Sequence, residues 1–141
     1  MSFSPDGRQF AFERGVAKRN IVELRVANTD GSGDHVLTTI HDGDVSLFQP
    51  GLNWSRDGET IVVPVRILDK ERRGILASVS VRSGKVREIY FGLESFGRPV
   101  WLKEDSILIP HHDDDYERSQ LWMVSYPEGI ARRFTNDLAN I

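Results

Sequence analysis

Apolar residues recur along this chain in short runs separated by polar turns. No window of helical length carries an apolar stripe of period 3.6. Phe10-Ala11-Phe12, Ile61-Val62-Val63 and Ile107-Leu108-Ile109 are short and rich in β-branched or aromatic residues, and turn residues bound them, so each predicts a strand. An aromatic residue and a polar turn stand before each run. The anchors are Phe3, Trp54 and Trp101, spaced 51 and 47 residues apart. The turns are Ser4-Pro5-Asp6-Gly7, Ser55-Arg56-Asp57-Gly58 and Leu102-Lys103-Glu104-Asp105. Asp-Gly suits a tight hairpin, because glycine enters positive φ without a Cβ clash.

The second half of each copy repeats as well. Leu24 and Val26, then Ile75 to Val81, then Leu121, Trp122 and Val124 fall at matching distances after the anchors. Further turns follow at Asp30-Gly31-Ser32-Gly33, Ser83-Gly84 and Glu128-Gly129, and a last short strand closes each copy at His35 to Thr38, Val86 to Ile89 and Ala131 to Thr135. Four short strands in about 48 residues, three times over, predict an all-β chain of β-propeller blades, each a four-stranded antiparallel sheet. The blades are expected at about 2–40, 51–91 and 97–136. Three unrelated hairpins in a sandwich would share the turns, but not the matched offsets in both halves. In this reading the aromatic anchor packs between neighbouring blades. Propellers usually close with four to eight blades, so these are expected to be part of a larger propeller or a self-associating unit.

The first copy, with Ser4-Pro5-Asp6-Gly7, Phe10-Ala11-Phe12, Leu24-Arg25-Val26, Asp30-Gly31-Ser32 and Leu37-Thr38, resembles the TolB-like, WD-repeat-like bacterial β-propeller repeat. The second keeps Trp54-Ser55 and Asp57-Gly58 but has Arg56 where that family prefers proline, and the third keeps Pro99, Trp101, Leu121-Trp122 and Phe134-Thr135 but has lost Asp-Gly. The ending GIARRFTNDLANI resembles the connection between blades in propellers fused to bacterial transmembrane serine/threonine kinases and winged-helix regulators. The resemblance implies a non-catalytic module for protein or ligand binding. It would be the sensing or docking part of a larger bacterial protein, such as a membrane kinase or a Tol-type envelope protein. An extracytoplasmic or periplasmic setting is implied by the resemblance alone. Propellers of this kind also gate some serine peptidases, which is the alternative.

Composition narrows the partners. Eighteen Lys and Arg against 21 Asp and Glu leave a net charge of −3, without the concentrated basic surface that nucleic acid requires. Cysteine is absent, which removes disulfides, zinc-thiolate sites and thiol catalysis together. No stretch approaches the roughly 18 consecutive apolar residues of a membrane helix, so no direct membrane insertion is expected.

Candidate chemistry is sparse, and no catalytic, metal or cofactor site is expected. The run His111 to Glu117 concentrates imidazoles and carboxylates, but it falls where a long connection between strands should lie, and successive side chains there diverge. Asn28 to Asp34 partly matches a calcium loop, yet its twelfth position is Thr39 rather than a glutamate, so a hairpin turn is the better reading. Gly92 to Gly97 has one residue too many for a nucleophile elbow. The connections Thr39 to Leu52 and Tyr90 to Pro99 are better candidates. They carry aromatics among polar residues, a composition enriched at interfaces. His41, Asp42, Asp44, Phe48, Phe91, Phe96 and Arg98 are the candidate binding residues for a protein partner or small ligand at the propeller face. The same aromatics could equally fill gaps between blades. A homo-oligomer through the terminal blades is the other partner expected.

Overall fold

The computed structural model describes residues 1–19, 21–41, 45–48, 51–67, 74–92, 97–112 and 119–135. Among these the chain is built of strands, with one short 3-10 turn at Ala17–Arg19 and no α-helix. Among the described residues no helix is long and apolar enough to cross a membrane.

The strands form three successive antiparallel sheets. Blade 1 runs β1 (Ser2–Phe3), β2 (Gln9–Val16), β3 (Ile21–Asn28) and β4 (His35–His41), hydrogen-bonded in that order. Blade 2 contains β5 (Val45–Phe48), β6 (Asn53–Trp54), β7 (Thr60–Ile67), β8 (Gly74–Ser80) and β9 (Val86–Gly92). Blade 3 runs β10 (Val100–Lys103), β11 (Ser106–His112), β12 (Ser119–Ser125) and β13 (Ala131–Arg133). The expected all-β architecture of antiparallel blades is therefore present three times, with four strands in blades 1 and 3 and five in blade 2, where β5 and β6 both pair with β7.

One repeated turn explains why Ser-x-Asp-Gly recurs. In blade 1 the Ser4 hydroxyl donates to Asp6 Oδ1 at 2.6 Å and accepts from the Gln9 N–H at 2.9 Å, while Asp6 accepts from the Arg8 N–H at 3.0 Å. In blade 2 Ser55 donates to Asp57 and accepts from the Thr60 N–H at 3.0 Å, and Asp57 accepts from the Glu59 N–H at 2.9 Å. Gly7 (φ 68°) and Gly58 (φ 76°) then supply the left-handed residue that lets the chain reverse. Each carboxylate is held below the usual carboxylate range, first by its serine hydroxyl and then by a backbone N–H. Blade 3 lacks this serine, and its first hairpin is correspondingly irregular, slipping register between Trp101 and Lys103.

The blades stack face to face, with blade 2 in the middle. Side chains alternate along a strand, and β7 uses both sides. Ile61, Val63 and Val65 join Ala11, Leu24 and Val26 of blade 1 in one core, whereas Val62 joins Trp101, Ile107, Ile109 and Val124 of blade 3 in a second. β8 divides likewise, with Ile75, Ala77 and Val79 toward blade 1 and Leu76 toward blade 3. This is why the apolar runs of the middle copy are continuous: neither face meets water.

Trp54 and Trp101 hold equivalent places in the two interfaces, 5% and 6% exposed. Trp54 Nε1 donates to the Ser2 carbonyl of blade 1 at 3.1 Å. The backbone N–H of Trp101 donates to Asn53 Oδ1 of blade 2 at 3.2 Å. The expectation that the anchoring aromatic packs between blades holds for both tryptophans but not for Phe3, which is 57% exposed. It stands on the face of blade 1 turned away from blade 2, and no described residue covers that side.

Two glycines set how closely the blades approach. A Cβ at Gly84 would stand 2.1 Å from the Leu37 carbonyl oxygen, and one at Gly129 would stand 1.7 Å from that of Ile89. The second turns of blades 2 and 3 thus each rest their backbone on the outermost strand of the blade before.

Candidate functional site

Three regions carry chemistry that the stacking does not consume. The first is the outward face of blade 1. Phe3 pairs with Phe10 across the β1–β2 ladder, and alternation puts Phe3, Phe10 and Phe12 on the side opposite Ala11. Their rings form a ladder, with centroids 6.2 Å apart between Phe3 and Phe10 and 5.4 Å between Phe10 and Phe12. Beside it Arg25, in register with Phe12, is gripped by Glu23 at 2.6 Å and Asp34 at 2.7 Å. Arg14 adds a third pair, 3.1 Å from Glu23. The hydrogen bond from Arg25 holds the Asp34 carboxyl below its ordinary value.

The second is Glu13, whose register opposite Leu24 turns it toward blade 2. Its Oε1 is buried without a hydrogen-bond partner, and burial raises its pKa.

The third is a groove where blades 2 and 3 meet, of about 460 Å³, lined by Gly58, Glu59, Thr60, Ser80, Val81, Arg82 and Tyr126. It adjoins a second hollow of about 310 Å³ that adds Ser78, Ser83, Lys85 and Arg87. Tyr126 closes it from blade 3, beside the edge of Trp101 at 5.0 Å between ring centroids.

The residues that sequence reasoning singled out are scattered across the middle of the molecule. His41 ends β4, opposite Ile21. Phe48 ends β5, opposite Val65, and Phe91 lies in β9, opposite Ile75. Because Val65 pairs with Ile75, Phe48 and Phe91 belong to one transverse row of blade 2, at its two edges rather than side by side. Arg98 is exposed, and its backbone lies against Gly51 (φ 142°), where a Cβ would meet Arg98 Cα at 2.8 Å. Asp42, Asp44 and Phe96 lie outside the described residues. His111 and His112 extend β11 rather than opening a loop, and 113–118 lie outside the described residues. Asn28 to Asp34 is the expected hairpin turn, with Asp30 accepting from the Ser32 N–H and hydroxyl. No cluster of metal-ligating side chains occurs among the described residues.

Neither the aromatic ladder nor the groove was found from sequence. Phe10-Ala11-Phe12 predicts a strand but does not say which of its faces lies open. The cations Arg82, Lys85 and Arg87 are interrupted by serine, glycine and valine, so they formed no visible basic cluster.

Comparison with solved structures decides the fold. A TolB-like protein from Agrobacterium tumefaciens superposes with a TM-score of 0.66 over 94% of this chain and 47% of its own, at 17% identity. This chain is in fold a partial TolB-like β-propeller. The propeller domain of the Trilobed protease from Pyrococcus furiosus, which has an open velcro topology, gives a TM-score of 0.64 at 16% identity, over 96% of this propeller and 42% of that chain. The acylaminoacyl peptidase of Pyrococcus horikoshii gives 0.70 at 14% identity, over 96% of this propeller and 24% of that chain. The propeller described here thus spans about half or less of the structures it matches. No family model and no curated protein matches its sequence.

Proposed function

We propose that this propeller is a non-catalytic module that binds a protein partner, as the sensing or docking part of a larger bacterial protein such as a membrane serine/threonine kinase or a Tol-type envelope protein. The observation that carries this reading is the uncovered face of blade 1. Phe3, Phe10 and Phe12 stand at the positions through which Trp54, Ile61 and Val63 seat blade 2 on blade 1. Among the described residues the face therefore has the form of a blade interface with no blade against it, and partly exposed aromatic ladders of this kind mark interaction surfaces.

The occupant that fits is a following blade face, supplied by a second copy. Blade 3 presents Leu108, Leu121 and Met123 on the side away from blade 2, all partly exposed. Leu108 and Leu121 correspond to Val62 and Leu76, part of the surface on which blade 2 receives Trp101. Contact between unlike faces is head-to-tail, and such contacts close into rings when the rotation allows. Two copies would supply six blades, within the range of closed propellers.

Sedimentation of the full chain tests this. Wild type should show a concentration-dependent dimer, while Phe10→Lys and Leu121→Lys should each remain monomeric. Mixing the two variants should restore a dimer, because one copy's intact blade 3 can meet the other's intact blade 1. A wild-type monomer at all concentrations, or a Phe10→Lys variant that still dimerises, would overturn the reading. The likeness to peptidase propellers supports a second reading, a propeller that gates substrate entry to a peptidase domain. A hydrolase domain encoded beside this one would favour it.

A further inference from the structure

We infer that the groove between blades 2 and 3 is a binding site for a small dianion, a phosphate ester or a dicarboxylate. The argument begins with charge. The chain carries a net charge of −3, yet this groove gathers Arg82, Lys85 and Arg87 against one carboxylate, Glu59. None of the three cations makes an ion pair among the described residues. By contrast, Arg14 and Arg25 on blade 1 are both paired. Three unneutralised cations around one hollow repel one another, and an anion between them relieves that repulsion.

Hydroxyl groups and backbone supply the rest. Thr60 and Ser80 face each other across the β7–β8 ladder, and Ser78 pairs with Arg87 across β8–β9. These registers bring three hydroxyl-bearing residues to the groove together with Tyr126. The cation-bearing turn is braced internally: the Ser83 N–H donates to Ser80 Oγ at 3.3 Å, and the Lys85 N–H to Ser83 Oγ at 3.2 Å. Gly84 presses the same turn onto Leu37 of blade 1, so its backbone is held from both sides. The guanidinium forks of Arg82 and Arg87 suit the paired oxygens of a phosphate or carboxylate, with Lys85 as a point charge. Phosphate and carboxylate share this chemistry, and separate probes distinguish them.

Two-dimensional amide NMR of the full chain, titrated with inorganic phosphate and separately with succinate, tests the site. At low salt, at least one probe should give saturable shifts confined to Thr60, Ser78 to Arg87 and Tyr126, weakening as sodium chloride is added. Charged hydrogen bonds contribute enough that Lys85→Gln combined with Arg87→Gln should weaken binding by at least about tenfold. Arg132→Gln, on blade 3 beside Met123, should leave it unchanged. The probe that binds tighter assigns the ligand class. Linear, non-saturating shifts for both probes, or equal weakening by Arg132→Gln, would overturn the proposal. The readout is independent of self-association, so it can fail while the docking reading stands.

Discussion

Replacing Trp54 with alanine should destabilise the chain by about 3–5 kcal/mol, the range for deleting a buried tryptophan or phenylalanine. The structure says why the upper part of that range applies. Trp54 is 5% exposed and packs where Ala11, Leu24 and Val26 of blade 1 meet Ile61 and Val63 of blade 2, so neither sheet can collapse into the gap without parting from the other. Its indole also donates to the Ser2 carbonyl, and Ser2 itself is only 7% exposed. Losing that hydrogen bond adds about 0.5–1.5 kcal/mol, since the Ser2 carbonyl keeps its place in the β1–β2 ladder. Phenylalanine separates the two contributions. Trp54→Phe keeps most of the ring but loses the hydrogen bond. Trp101→Phe loses none, because Trp101 Nε1 is buried without a partner. The Trp54→Phe cost should therefore exceed the Trp101→Phe cost. Urea unfolding of the three variants beside wild type measures this against a total stability of about 5–15 kcal/mol for a domain of this kind. A Trp54→Ala cost below about 1 kcal/mol, far under the range for aromatic deletions, or a larger cost for Trp101→Phe than for Trp54→Phe, would refute the reasoning.

Other outcomes follow from the same contacts. Gly84→Ala and Gly129→Ala should each cost well over the roughly 1–2 kcal/mol of left-handed strain alone, because the new Cβ meets a carbonyl of the preceding blade, whereas Gly7→Ala and Gly31→Ala, with open space, should cost only the strain. Thermal unfolding of the four variants checks this. Burial raises the Glu13 pKa above its unfolded value, so its contribution favours folding at low pH and is lost as pH rises through the folded value. Glu13→Gln should accordingly raise the melting temperature at pH 7 more than at pH 4, and an equal rise at both would contradict the assignment. Asp57 has the opposite sign: its pKa is depressed, so its contribution is present above the unfolded value and lost as pH falls through the folded one. Asp57→Asn should lower the melting temperature at pH 7 and leave the acid limb of the stability profile flatter.

The fold was largely legible because its repeated parts are made by local chemistry. Ser-x-Asp-Gly closes on itself through three hydrogen bonds within six residues, so its recurrence at Ser4 and Ser55 could be read without knowing the sheet. The apolar runs Ile61-Val62-Val63 and Ile75 to Val81 predict strands, and the structure buries both faces of the two strands they form. The features that were not legible depend on neighbours. β2 continues through Glu13, Arg14 and Gly15 because β3 pairs with them, although no apolar pattern extends that far. Val45–Phe48 lies in a segment read as a connection, and it becomes a strand by pairing with β7. Phe3 matches Trp54 in sequence position but differs in burial, since burial of an anchor depends on the blade before it. The groove cations come together only through the β8–β9 turn and the approach of Tyr126 from blade 3.

The account rests on three like blades stacked in chain order, with the second turns of blades 2 and 3 resting on the blade before. Nuclear Overhauser contacts between blades test that arrangement most directly. The Gly84 α-protons should show contacts to Leu37, the Gly129 α-protons to Ile89, and the Trp54 indole N–H to Ser2. Observing all three would establish the stacking and its order. Absence of the two glycine contacts in a folded sample, or contacts of the Gly129 turn with β4 instead of β9, would contradict it.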